Sequence, residues 1–223
     1  MECGSSTITL GRMKEVDFSS IVFIETTGLL VKSAAGFAKA TDLAGKKIAV
    51  AANTTNERAL AEIIKQGKLT ATLVPVKDRD EGVAALEKGT VDAYASDKLL
   101  LLGARVADPK SITILPDDLS FEPYGIALPR GDASLRLAVN TGLAQVFRSG
   151  QIVEIFNKWF SQLGLRPGPL MMSVFSLGAL PDLLAARRRK TQDRAKRVRA
   201  EARVAGRQDL LQDAEFGEQG GGL

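Results

Sequence analysis

KKIAVAANTTNERALAEIIKQGK, residues Lys46–Lys68, decides the architecture. Lys46–Ala52 reads as a buried strand. The following TTNERALAEIIKQGK reads as a helix, with Ala59, Leu60, Ile63 and Ile64 on one face, a threonine start and Gly67 at its end. The same unit then repeats. TATLVPV (Thr70–Val76) is predicted as a strand, RDEGVAALEKG as a short helix stopped by Gly89, and VDAYAS (Val91–Ser96) as a strand. DKLLLLGARVAD gives a third helix and SITILP (Ser111–Pro116) a further strand. Alternating strands and helices with short connections predict a parallel sheet covered by helices, an α/β fold.

Outward from this unit the pattern changes. FEPYGIALPR (Phe121–Arg130) reads as a crossing strand, followed by the helix DASLRLAVNTGLAQVFRSG with Asp132 as its cap. A second helix, QIVEIFNKWFSQLG, ends at Gly164 and carries an apolar stripe of Ile152, Ile155, Phe156, Trp159 and Phe160. No sheet follows these helices, so the surface they dock on is expected earlier in the chain or to be missing. Residues 165–223 differ in kind: RPGPLMMSVFSLGALP reads as a linker, then comes a basic Ala/Arg-rich stretch and a glycine-rich end. This segment is expected to be an exposed helix or disordered, outside the fold.

The bulk numbers exclude several chemistries. The chain of 223 residues is 45% hydrophobic and 25% charged, ordinary for a globular protein. It has no histidine, which removes histidine-based triads, HExxH zinc sites and imidazole proton shuttles. Its single cysteine, Cys3, makes no internal disulfide and no multi-cysteine metal site. The net charge of +4 sits mostly in the tail, where residues 181–223 hold ten Lys/Arg against seven Asp/Glu. The body is close to neutral, so charge gives no reason to expect nucleic-acid binding by the fold. No run of ~18 apolar residues predicts a spanning helix. MECGSSTITL has neither the basic nor the apolar region of a secretory signal.

Four stretches can carry ligand chemistry. Thr54 and Thr55 stand at a strand-to-helix junction whose free N–H groups favour an anion, or they cap their own helix. Asp97 follows the strand VDAYAS, where a carboxylate suits an ammonium group, with an N-cap as the alternative. Arg79 can reach a second anionic group or pair with Asp80 or Glu81 on the surface. Arg12, near Ser5 and Thr7, offers a guanidinium fork for a carboxylate, although a surface arginine is the commoner outcome. Together they describe opposite charges arranged for a zwitterion.

ECGSSTITLGRMKEVDFSS, DLAGKKIAVAANTTNERAL, Asp97, FEPYGIALPRGDASL and SGQIVEIFNKWF stand in an order and spacing that resemble the periplasmic solute-binding proteins of polar amino-acid ABC transporters. The resemblance is closest to the glutamate/aspartate-binding branch and covers residues 1 to about 164. It implies a type II periplasmic-binding-protein fold, with one complete parallel-sheet lobe and part of a second. Residues 1–27 are then part of lobe one, 28–120 lobe two, 121–164 the second crossing and the helices of lobe one, and 165–223 the linker and tail. The hinge crossings are expected near Glu25–Leu29 and Phe121–Gly125.

By that resemblance Ser5, Thr7 and Arg12 line lobe one, with Arg12 on the α-carboxylate. Thr54 and Thr55 form the carboxylate-binding helix start, and Asp97 meets the α-ammonium. Arg79 falls where the glutamate branch has a histidine near the side-chain carboxylate. The implied role is non-enzymatic capture of an amino acid, glutamate or aspartate by the branch it resembles, for a membrane permease, by a periplasmic monomer with no cofactor, metal or nucleic-acid partner. The rivals are an enzyme on the same fold, such as a dehydratase or a lytic transglycosylase module, a basic tail that retains DNA, and a non-functional reading frame. Against the family pattern, the export signal and first half of lobe one are expected to be missing and the tail to be unrelated, as in a truncated or frameshifted frame. Cys3 would then have lost a disulfide partner.

Overall fold

Residues 1–180 are described by a computed structural model, and Met1–Ala179 form one compact unit. The chain opens with β1 (Asp17–Phe18) and β2 (Phe23–Lys32), then β3 (Lys46–Ala51), α1 (Thr55–Lys65), β4 (Ala71–Val76) and α2 (Arg79–Lys88). It continues through β5 (Ala93–Asp97), α3 (Lys98–Ala107), β6 (Ile112–Ile114), β7 (Phe121–Tyr124) and β8 (Ala127–Leu128). Three helices close it: α4 (Ala133–Ser149), α5 (Gln151–Phe160) and α6 (Pro169–Gly178).

The main sheet runs β4-β3-β5-β2-β6, and its centre is buried on both faces. Successive side chains along a strand point to opposite faces, so each strand feeds two cores. Leu29, Val31, Ile48, Val50, Ala93 and Ala95 meet Leu60 of α1 on one face. Leu30, Ala49 and Tyr94 meet Leu86 of α2 and Leu101 of α3 on the other. The near-continuous apolar runs KKIAVAA and VDAYAS are the residue pattern that burial on two faces requires. At Gly82 in α2 a Cβ would stand 2.3 Å from the Tyr94 ring, so this glycine lets the helix lie on the strand.

The sheet is mixed rather than wholly parallel. β3 is parallel to β4 and to β5, whereas β2 is antiparallel to both β5 and β6. The difference comes from β2, the longest strand. Its first half pairs with β7 (Glu25 opposite Glu122) and its second half with β5 (Thr27 opposite Asp97). The stretches expected as crossings, Glu25–Leu29 and Phe121–Gly125, thus meet where β2 and β7 pair antiparallel.

On the other side of that ladder β1 pairs with β8, and isolated bridges join Glu2 to Ala127 and Thr7 to Tyr124. Here α5 turns Phe156 inward, with Ile152 and Phe160 partly buried. Ile155 and Trp159, expected in the same docking stripe, are 44% and 66% exposed. One expectation is corrected outright. Residues 165–180 are not a linker outside the fold, because Pro169 starts α6 and its Met171 and Phe175 pack with Phe147 and Phe156. Proline at the first helical position costs no hydrogen bond, so the Pro-Gly-Pro run opens a helix here. The expectations for the basic stretch and glycine-rich end fall on residues 181–223, outside the described residues.

Candidate functional site

At the carboxyl end of β3 the chain turns through Asn53, whose φ of +62° is the left-handed conformation that asparagine tolerates. Thr54 then caps α1: its hydroxyl accepts the Glu57 N–H at 3.2 Å and donates to the Ala51 carbonyl at 2.7 Å. Of the two readings of this threonine, the cap describes its contacts. Thr55 is different. Its hydroxyl lies 3.4 Å from that of Thr7, 48 residues earlier in the chain.

Asp97 ends β5 and precedes α3, yet its side chain makes no cap hydrogen bond. It instead accepts from Asn56 Nδ2 at 2.8 Å and from the Tyr124 hydroxyl. Asn56 also donates to Thr27 Oγ1 at 2.7 Å, and Thr27 Oγ1 lies 2.6 Å from Ser120 Oγ. Glu122, 2% exposed, accepts from Ser120 Oγ and Thr7 Oγ1, both at 2.8 Å. Arg12 Nη1 donates to the Thr7 carbonyl at 2.8 Å.

Arg12, Thr7, Thr55 and Asp97 therefore lie along one connected set of hydrogen bonds. Two further expected residues do not join it. Arg79 is exposed and pairs with Asp80 at 3.3 Å, the surface alternative, because α2 begins beyond β4 at the sheet's edge. Ser5 is exposed and hydrogen-bonded to none of these residues, and Cys3 is an exposed free thiol. Sequence reasoning missed Thr27, Asn56, Ser120, Glu122 and Tyr124. The available signal was Glu122 and Tyr124 two apart in a short strand, hence on one face.

The electrostatics are one-sided. Burial raises the Asp97 carboxyl above its ordinary range, against the hydrogen bonds from Asn56 and Tyr124, and the charge of Glu122 adds to the rise. Burial and the neighbouring acids push the Tyr124 hydroxyl far up, so it keeps its proton and donates. Among the described residues, the Lys and Arg ion pairs go to Asp92, Asp80 and Asp118 and none to Asp97, Glu122 or Glu25. A buried carboxylate without a cation is a costly arrangement that a cationic ligand group relieves.

Glu25, on β2, is the most perturbed acid. Burial lifts its pKa from 4.5 to about 7, with the Thr26 N–H opposing and the charge of Asp97 reinforcing the shift. Between those two values the folded chain holds this proton more tightly than the unfolded chain, so stability falls as pH rises through the window. Glu25→Gln is therefore expected to raise stability by about 1–2 kcal/mol at pH 8, after allowance for solvent screening, and to change nothing at pH 4. Urea unfolding at both pH values checks this. A variant no more stable than the parent at pH 8 would contradict it.

Residues 1–162 match the profile of the bacterial extracellular solute-binding proteins, family 3. The L-glutamate/L-aspartate-binding protein of Pseudomonas aeruginosa is 35% identical over 164 residues, covering 73% of this chain and 54% of that protein. The chain spans about half the length of the curated relatives it matches. Among solved structures, an ancestral arginine-binding protein bound to arginine aligns with a TM-score of 0.61 at 30% identity, over 70% of this chain and 69% of that one. An ancestral amino-acid-binding protein described as a precursor of cyclohexadienyl dehydratase aligns with a TM-score of 0.60 at 28% identity, over 70% and 66%.

Proposed function

The chain belongs to the bacterial extracellular solute-binding proteins, family 3, and on that premise we propose that it captures a polar, acidic amino acid between its two lobes for the permease of an ABC importer. One observation carries the reading: Arg12 and Thr55 join Asp97 in one continuous hydrogen-bonded set. Arg12 and Thr55 receive the α-carboxylate, and Asp97 takes the α-ammonium. Glutamate and aspartate are the proposed ligands because the relative from Pseudomonas aeruginosa is named for binding them. Ligand contacts from both lobes favour the closed form by their differential affinity. The protein is read as a binder rather than an enzyme, working outside the cytoplasm as a monomer.

Calorimetric titration with L-glutamate and L-aspartate tests this. Binding is expected at about the millimolar level or tighter, near 4 kcal/mol or more. Glutarate, which lacks the ammonium, and γ-aminobutyrate, which lacks the α-carboxylate, should bind at least ~tenfold more weakly. If none of the twenty amino acids shifts the melting temperature at about ten times that concentration, the reading fails.

A further inference from the structure

A concavity of about 450 Å³ shares no lining residue with the Arg12–Asp97 set. β2 contributes Phe23 and Glu25, α3 contributes Leu102, α5 contributes Phe156, and α6 contributes Leu170 and Met171. Its volume is that of a small-molecule pocket, and its walls are apolar apart from a few charged groups.

Those charges are not equivalent. Lys98 is already engaged, with Asp118 Oδ1 at 2.6 Å and the Pro116 carbonyl at 2.8 Å. Arg166 is exposed, at the rim. Glu25 is 8% exposed, and its Oε1 accepts the Thr26 N–H at 2.9 Å. No Lys or Arg among the described residues forms an ion pair with it. The buried carboxylate of the pocket that lacks an ion pair is thus Glu25, held by backbone N–H groups and the nearby charge of Lys98 and set among aromatic and aliphatic side chains.

We propose that this pocket is a second ligand site that takes an amphipathic primary amine, its ammonium on Glu25 and its apolar body against Phe23, Leu102, Phe156 and Met171. A carboxylic acid is disfavoured there, because Asp97 already raises the cost of negative charge at Glu25. An ammonium does the reverse: it replaces lost solvation with an ion pair in a water-poor setting. Binding gains from a deprotonated Glu25, whose surroundings are Asp97 on β5, Lys98 on α3, Asp118, and Glu122 and Tyr124 on β7. Amine affinity should therefore rise between about pH 6 and pH 8 and then level off.

Dansylcadaverine, a fluorescent alkyl amine, is the probe, titrated into the full 223-residue chain at pH 8. Saturable binding at one site is expected, weakened at least ~tenfold by Glu25→Gln and abolished by Leu170→Asp, which puts a charge at the mouth. The N-acetylated probe, with no charge, should bind the parent at least ~tenfold more weakly and the Glu25→Gln variant no worse than the amine does. Saturating glutamate should leave the amine's affinity in place, which separates this site from the amino-acid cleft. Equal affinity for the charged and neutral probes would overturn the proposal, reducing the pocket to an apolar surface. So would tighter binding of anilinonaphthalene sulfonate that is lost in Arg166→Ala, or no saturable binding of the amine.

Discussion

Asp97→Asn is expected to weaken amino-acid binding by about 100-fold, roughly 3 kcal/mol, while leaving the chain as stable at pH 8 as the parent or slightly more so. The two halves of this result have one cause. Asp97 is 6% exposed and carries no cation, so burial holds its carboxyl above the ordinary range. An acid whose folded pKa is raised contributes stability at low pH that is lost as pH rises, and the neutral amide removes that loss. The amide also keeps an oxygen for Asn56 Nδ2, and Tyr124 can turn its hydroxyl to accept from the new NH2. What the amide cannot do is neutralise an α-ammonium. Calorimetry for binding and urea unfolding for stability read the two halves separately. An enzyme on this fold would behave otherwise, losing turnover with binding retained, and undiminished binding by the variant would remove Asp97 from the ligand site.

That a site residue costs stability is consistent with the wider pattern of the candidate site, where Asp97 and Glu122 are both buried. Its legibility in the sequence was uneven for physical reasons. Asp97, Thr55 and Arg12 each sit at a position with a local signature: a strand end, a helix start, a short turn between polar residues. Glu122 has none, because its partner Thr7 is 115 residues away and only the bridge between Thr7 and Tyr124 of β7 brings them together. Asn56 is similar: a helix sequence reveals which residues share a face, but not that one face meets Thr27 and Asp97. Arg79 shows the converse error, a charged group at a helix start that the sheet order leaves at the edge.

The fold divides in the same way. β3, α1, β4 and α2 follow from periodicity and glycine stops, since each is amphipathic or apolar enough to announce itself. The direction of β2 was not legible. FIETTGLLVK changes from a mixed polar half to an apolar half, and no local pattern in it tells that it pairs antiparallel with β5, β6 and β7. α6 was hidden by Pro167, Gly168 and Pro169, which resemble a linker until the apolar run after them finds a partner.

Phe175→Ala tests that last point and should cost about 3–5 kcal/mol. The side chain is 4% exposed and its ring stacks on Phe147, with centroids 5.6 Å apart. Truncation removes the buried ring's transfer energy, leaves a void beside Met171 and Phe156, and ends an aromatic contact. One turn further on, a Cβ at Gly178 would lie 2.5 Å from the Phe147 ring, so α6 meets α4 too closely to slide into the gap. For a chain of this size the melting temperature should fall by roughly 10 °C, while Phe175→Leu, which keeps most of the volume, should cost under about 1.5 kcal/mol. Calorimetric melting of the three proteins decides it. A loss below about 1 kcal/mol for the alanine variant would mean that α6 adds little to the fold, and residues 165–180 would return to being a linker.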